Sequence, residues 1–138
     1  MNGRMVFVNL PVKNLNASIE FFTKLGFKFN PQFTDQNATC MIISEDAFVM
    51  LVVNDFFKTF TKKAISDATK STETIVALSA DSRKDVDEVM NKALAAGGKP
   101  SVDPMDQDGM YGRSFQDLDG HLWEVIYMDP SVVGQAGN

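Results

Sequence analysis

The sequence predicts an α+β fold built from two βαβββ modules packed into one sheet system. Three observations predict it. The order strand, helix, three strands reads twice along the chain. Both predicted helices end on the same shape of signal, Leu25-Gly26-Phe27-Lys28 and Ala96-Gly97-Gly98-Lys99. And 138 residues are enough for one domain, with roughly two-thirds of the unfolded surface to bury.

In order along the chain, Met5 to Val12 is a valine-rich apolar run that suits a strand buried on both faces. Asn14 offers an N-cap. Leu15, Ile19, Phe22 and Leu25 follow at helical spacing, and Gly26 closes the helix. Strands are expected over Phe27 to Phe33, Ala38 to Ser44 and Ala47 to Asn54, with Glu45-Asp46 turning the last pair. The connector, 55–71, holds Phe56, Phe57 and Phe60. A short helix whose aromatic stripe plugs the core is the preferred reading; a lid or a dimer contact is the other. Thr74 to Ala80 opens the second module. Ser82 caps a helix with the apolar stripe Val86, Val89, Met90, Ala93 and Leu94. Strands are expected near Lys99 to Val102, Met110 to Gln116 and His121 to Met128. The whole chain, 1–138, is thus one domain: module one near 1–54, module two near 72–130, and a small polar tail over 131–138 expected to fray.

Thirteen basic against eighteen acidic residues leave a net charge of −5. That argues against nucleic acid and anionic membrane, which need clustered Lys and Arg. It mildly favours a cationic or neutral ligand, although plain solubility explains it as well. Cys40 is the single cysteine, so no internal disulfide forms, and its apolar run suits a buried thiol better than a nucleophile. No signal peptide, transit peptide or long apolar span is legible, so a cytoplasmic location is expected.

Leu10-Pro11-Val12-Lys13-Asn14-Leu15, Ser18, Phe21-Phe22 and Leu25-Gly26-Phe27 together resemble the opening of a glyoxalase/bleomycin-resistance module. Phe115-Gln116-Asp117-Leu118-Asp119-Gly120-His121-Leu122-Trp123-Glu124 resembles the closing hairpin of a second one. The resemblance to this vicinal-oxygen-chelate superfamily, in its glyoxalase-like subgroup, covers nearly the whole chain. It implies an open, curved, barrel-like sheet around a central cleft, and often a dimer. Its enzymes hold a divalent metal on four cleft ligands, two from each module, which polarises a carbonyl or bound water. Other members use the cleft without a metal.

Carried over residue by residue, the metal site is degenerate. The first ligand lies seven residues before Asn14, at Phe7. The second matches Met50, whose thioether is a poor ligand for the ions involved. The third matches Ile75; Glu73 is close, but stands at the strand's start. The fourth matches Glu124, which alone survives. One carboxylate does not hold a metal, so neither metal nor cofactor is expected. His121, the single histidine, lies three residues from Glu124 and so on the opposite strand face; a half-exposed turn histidine fits better than a ligand. Asp117 and Asp119 read as turn formers.

The expected cleft is mainly apolar. Parity puts Met5, Phe7, Asn9 and Pro11 on its side, with Val6, Val8, Leu10 and Val12 beneath the helices. Leu122, Glu124, Ile126 and Met128 share a face likewise. Across the closing hairpin, Arg113 opposes Glu124 if the loop has two residues. Ser114 opposes it if the loop has three with Gly120 left-handed, which glycine favours. Tyr111 and Arg113 at the mouth are further candidates to orient a ligand. The expected ligand-binding set is therefore Phe7, Asn9, Met50, Tyr111, Arg113, Ser114, Leu122 and Glu124, with Glu124 the candidate catalytic group. Two functions compete. One is a metal-free binder of a small, mainly apolar molecule, in a homodimer. The other is an enzyme, a glyoxalase-like lyase or isomerase or a dioxygenase type, or one using Glu124 as a metal-independent base.

Overall fold

The computed structural model describes residues 3–131; the tail expected to fray lies, from Val132 on, outside them. The chain divides into two units, Met1–Asp67 and Ala68–Asn138, each taken by itself.

In the N-terminal unit, β1 (Val6–Val12), α1 (Leu15–Lys24), β2 (Lys28–Asn30), β3 (Ala38–Ile42) and β4 (Ala47–Val53) follow in turn. The four strands form an open sheet in the order β1-β4-β3-β2, with β1 parallel to β4 and the other pairs antiparallel. Asn14 caps α1 as expected, its side-chain oxygen accepting from Ala17 N at 3.0 Å. The helix buries Leu15, Ser18, Phe21 and Phe22 against β3 and β4. Phe21 is 1% exposed and Met41 and Leu51 beneath it are closed to solvent. Only the C-terminal half of β1 shares this core: Leu10 and Val12 are buried, whereas Val6 is 53% exposed.

Two expectations need correction in this unit. The strand expected over Phe27 to Phe33 stops at Asn30, and Pro31–Phe33 is a 3₁₀ turn. Pro31 has no N–H for the ladder, and the Asn30 side chain turns back to accept from Gln32 N at 3.0 Å. The connector does form a short helix, α2 (Asn54–Phe57), followed by a 3₁₀ turn over Lys58–Phe60. Its aromatic rings pack mainly on one another: Phe60 meets Phe56 at 5.4 Å and Phe57 at 5.9 Å between centroids. Phe56 and Phe60 stay exposed, so the stripe does not plug the core.

In the C-terminal unit, β5 (Ile75–Ser79), α3 (Arg83–Ala95), β6 (Lys99–Pro100), β7 (Met105–Gln107), β8 (Met110–Gln116) and β9 (Leu122–Met128) follow in turn, and the five strands form a second open sheet. Its order is β5-β9-β8-β6, with β7 also on β8. The strands therefore make two sheets, where the sequence suggested one shared system. Ser82 caps α3, accepting from Asp85 N at 3.0 Å. Val86, Met90 and Ala93 of α3 bury Phe115, Trp123 and Val125 of the sheet. The expected strand near Lys99 to Val102 is instead two short strands with a break at 101–104. Pro100 and Pro104 lack donors, and Val102 N leaves the ladder to donate to Ser114 Oγ at 3.1 Å. Asp108 and Gly109, at φ 54° and 76°, then make the two-residue turn into β8.

Among the described residues no helix is long and apolar enough to cross a membrane.

Candidate functional site

The closing hairpin decides which residues stand beside Glu124. Asp117 N donates to His121 O at 3.0 Å and Gly120 N to Asp117 O at 3.1 Å. That leaves a three-residue loop, Leu118 to Gly120, with Gly120 at φ +86°. Glycine is required there twice over. A side chain would be strained at that φ, and its first carbon would come within 3.0 Å of the backbone at Ala68 and Thr69. The loop length fixes the register, so Ser114, not Arg113, opposes Glu124 on β8, and Ala77 flanks it on β5.

Cross-strand partners share a face. Glu124 therefore shares its face with Ile75, Ala77, Ser114, Leu122 and Ile126, and with Met105 through Gly112. A side chain at Gly112 would meet Ile126 Cγ1 at 3.3 Å and Met105 Cε at 3.7 Å, so those two close over the glycine. This face is turned away from α3. Glu124 is half-buried, and no hydrogen bond or ion pair reaches its carboxylate among the described residues.

Tyr111 and Arg113 do not join it. Parity sends them to the α3 face, where the Tyr111 hydroxyl donates to Asp87 Oδ1 at 2.6 Å and Arg113 Nη1 to the same oxygen at 3.1 Å. Those two donors, Tyr111 first, hold Asp87 below the usual carboxylate range, and Asp87 in turn raises the Tyr111 phenol. Arg83 lies 4.2 Å over the Tyr111 ring and grips Asp106 with both nitrogens, at 3.0 and 2.6 Å. The cluster clasps β7 and β8 to α3, and it places Tyr111 and Arg113 on the face opposite Glu124 rather than beside it.

In the N-terminal unit, Phe7, Asn9 and Met50 do share one sheet face. Asn9 is the register partner of Met50, and Phe7 stacks on Phe48 at 4.9 Å and 14°. Phe7 is 48% exposed. Asn9 Nδ2 makes one long bond, to Phe7 O at 3.4 Å.

Asp117 is the polar residue whose weight the sequence reading missed. It is buried and accepts three N–H groups: Asp119 N at 2.9 Å and His121 N at 3.0 Å on Oδ1, Trp123 Nε1 at 2.8 Å on Oδ2. Burial pushes its carboxyl up, against the opposing pull of His121 and of these donors. The signal was the Asp-x-Asp-Gly turn followed by a tryptophan six residues on. Cys40 is buried, and burial raises its thiol, as an inert core position requires.

The residues do not fit the metal that the resemblance implies. Ile75 and Glu124 share a face, but isoleucine offers no donor; Phe7 and Met50 share a face with none of the required nitrogen or carboxylate. Among the described residues no three His, Cys, Asp or Glu side chains converge.

Comparison with known proteins gives the same family as the motifs. A family model, Glyoxalase/Bleomycin resistance protein/Dioxygenase superfamily, matches residues 4–125. No curated protein matches the chain. Among solved structures, a hypothetical protein from S. aureus is 32% identical over 92% of this chain and 95% of its own, with a TM-score of 0.76. A glyoxalase/bleomycin resistance protein/dioxygenase family enzyme from Burkholderia phytofirmans is 13% identical over 91% and 99%, at 0.77. A genomically encoded fosfomycin resistance protein from Listeria monocytogenes is 17% identical over 95% and 98%, at 0.66. The last two share the fold. With the family model spanning both units and both motifs, the chain belongs to the glyoxalase/bleomycin resistance protein/dioxygenase superfamily, the vicinal-oxygen-chelate fold.

Proposed function

We propose that this chain is a metal-free member of its superfamily that binds a small, mainly apolar molecule. The observation behind this reading is the makeup of the four ligand positions, Phe7, Met50, Ile75 and Glu124: one donor where a metal needs a set. The proposed ligand contacts are Glu124, Ser114 and Leu122, which share one face of the C-terminal sheet; Phe7, Asn9 and Met50 are candidate contacts on a face of the N-terminal sheet, taken by itself. Glu124 is the polar anchor, and in the enzyme alternative it is the proton-transfer group.

The test joins metal analysis to activity. The purified protein is expected to hold no stoichiometric Zn²⁺, Ni²⁺, Fe²⁺ or Mn²⁺, and a chelator is expected to leave its melting temperature unchanged. Isomerisation of the methylglyoxal–glutathione hemithioacetal is expected to be absent, since no Lewis acid is held to polarise its oxygens. Activity abolished by a chelator and restored by one ion would return the chain to the metal-dependent lyases. Ligands are then sought by thermal shift, because binding raises apparent stability by mass action.

A homodimer in the cytoplasm is the accompanying proposal. The exposed Phe56 and Phe60 of the connector give it apolar surface to cover. Sedimentation at micromolar concentration is expected to give twice the 15.2 kDa chain mass, and a single species at 15.2 kDa would sink the proposal.

A further inference from the structure

Resting on the binder reading, we propose that the ligand is an organic monocation: an ammonium or guanidinium group facing the Glu124 carboxylate, on an apolar body whose size Met105 limits.

The case begins with what Glu124 lacks. Its carboxylate has no protein partner among the described residues, yet it is half-buried, on a face shared with the exposed Ile75 and Ala77 and the half-buried Leu122 and Ile126. Arg113, the cation one residue from its register partner, turns to the other face and bonds Asp87. Ser114, directly across, accepts from Val102 N.

Consider each kind of ligand on this face. An anion meets like charge, from Glu124 and from a chain of net charge −5. A neutral apolar molecule strips water from the carboxylate and gives nothing back, which is unfavourable. A metal ion finds one donor. An ammonium group on an apolar body supplies the missing counter-charge, while the body covers the aliphatic side chains. A guanidinium would meet the two oxygens of the same carboxylate through its fork, so the cation class includes it, and an ammonium is the simpler probe of that class.

Met105 bounds the body. Its Cε and Ile126 close over Gly112, next to the Ser114–Glu124 pair along the strands. The wall is held from behind, since Asp106, its neighbour on β7, is the residue that Arg83 grips.

Three probes with one body separate the possibilities: 4-phenylbutylammonium, 4-phenylbutanol and 4-phenylbutyrate, titrated calorimetrically into the full chain. The ammonium is expected to bind about tenfold tighter than the alcohol, the worth of one charge-assisted contact, and the butyrate not at all. Glu124→Gln is expected to abolish the ammonium's advantage, the ammonium weakening and the alcohol gaining, because a neutral amide costs less to cover than a carboxylate. Met105→Ala is expected to shift preference toward a naphthyl-bearing ammonium. Far-UV circular dichroism checks that both variants fold. Equal binding of ammonium and alcohol, unchanged in Glu124→Gln, overturns the cation and leaves the binder reading standing. Failure of all three probes to bind at millimolar concentration overturns both.

Discussion

Asp117→Ala is expected to lower the stability of the chain by about 3 kcal/mol, a large part of what a domain of this size holds. The substitution removes a buried acceptor of three N–H groups at once. Asp119 and His121 are half-buried, whereas the Trp123 side chain is closed to solvent and loses its carboxylate acceptor. Urea unfolding followed by far-UV circular dichroism measures the loss. Trp123→Phe keeps most of the ring and deletes the donor, so in the Asp117→Ala background it is expected to cost about 1–2 kcal/mol less than in the parent. Additive losses would mean that the indole–carboxylate bond carries no energy. The pH dependence has a definite sign. Burial raises the folded-state pKa of Asp117, so the folded protein holds that proton more tightly than the unfolded chain does. Its contribution is fully present below the ordinary carboxylate pKa and falls as pH rises through the raised value. Asp117→Asn, which cannot titrate, is expected to flatten the stability profile over that window.

Phe21→Ala is expected to cost about 3–4 kcal/mol, and Phe60→Ala less than about 1 kcal/mol. The two differ by place, not by chemistry. Phe21 is 1% exposed between α1 and its sheet, edge-on to Phe22 at 4.9 Å between centroids. Phe60 is 53% exposed and touches the neighbouring rings of its own short helical segment. The same urea titration reads both. A Phe60→Ala loss as large as that of Phe21→Ala would mean that the connector is seated in a core after all.

The parts of this fold that were legible were those that local chemistry decides. Asn14 and Ser82 could cap their helices because each precedes an apolar stripe, and Gly26 and Gly97 do take positive φ after those helices. Gly120 allowed the hairpin loop to be counted, and with it the placement of Ser114 across from Glu124. What escaped was set by the neighbouring strand or helix. Asp108-Gly109 is a strong turn signal, yet three residues on its N-terminal side were too short a run to read as β7. Tyr111 and Arg113 were placed at a ligand mouth because sequence shows no partner for them; Asp87, 24 and 26 residues away, supplies it. Asp117 read as a turn former, which it is, but its burial depends on Trp123 turning its indole N–H inward. Apolar runs gave the connector a helix and could not say which of its rings would be covered.

The neighbourhood of Trp123 also makes the chain its own optical instrument. It is the single tryptophan, closed to solvent, lying parallel to the Phe115 ring at 6.4 Å and 4°, with its N–H on a carboxylate. Such an indole is expected to emit toward the blue, and a change in the charge of Asp117 is expected to shift that emission. It is also one peptide bond from Glu124, on the reverse side of the same strand. A shift of β9 by a bound molecule would therefore move the emission without any label attached, and time-resolved decay could separate bound from free populations. The residue that anchors the hairpin reports, from behind the sheet, on events at its other face.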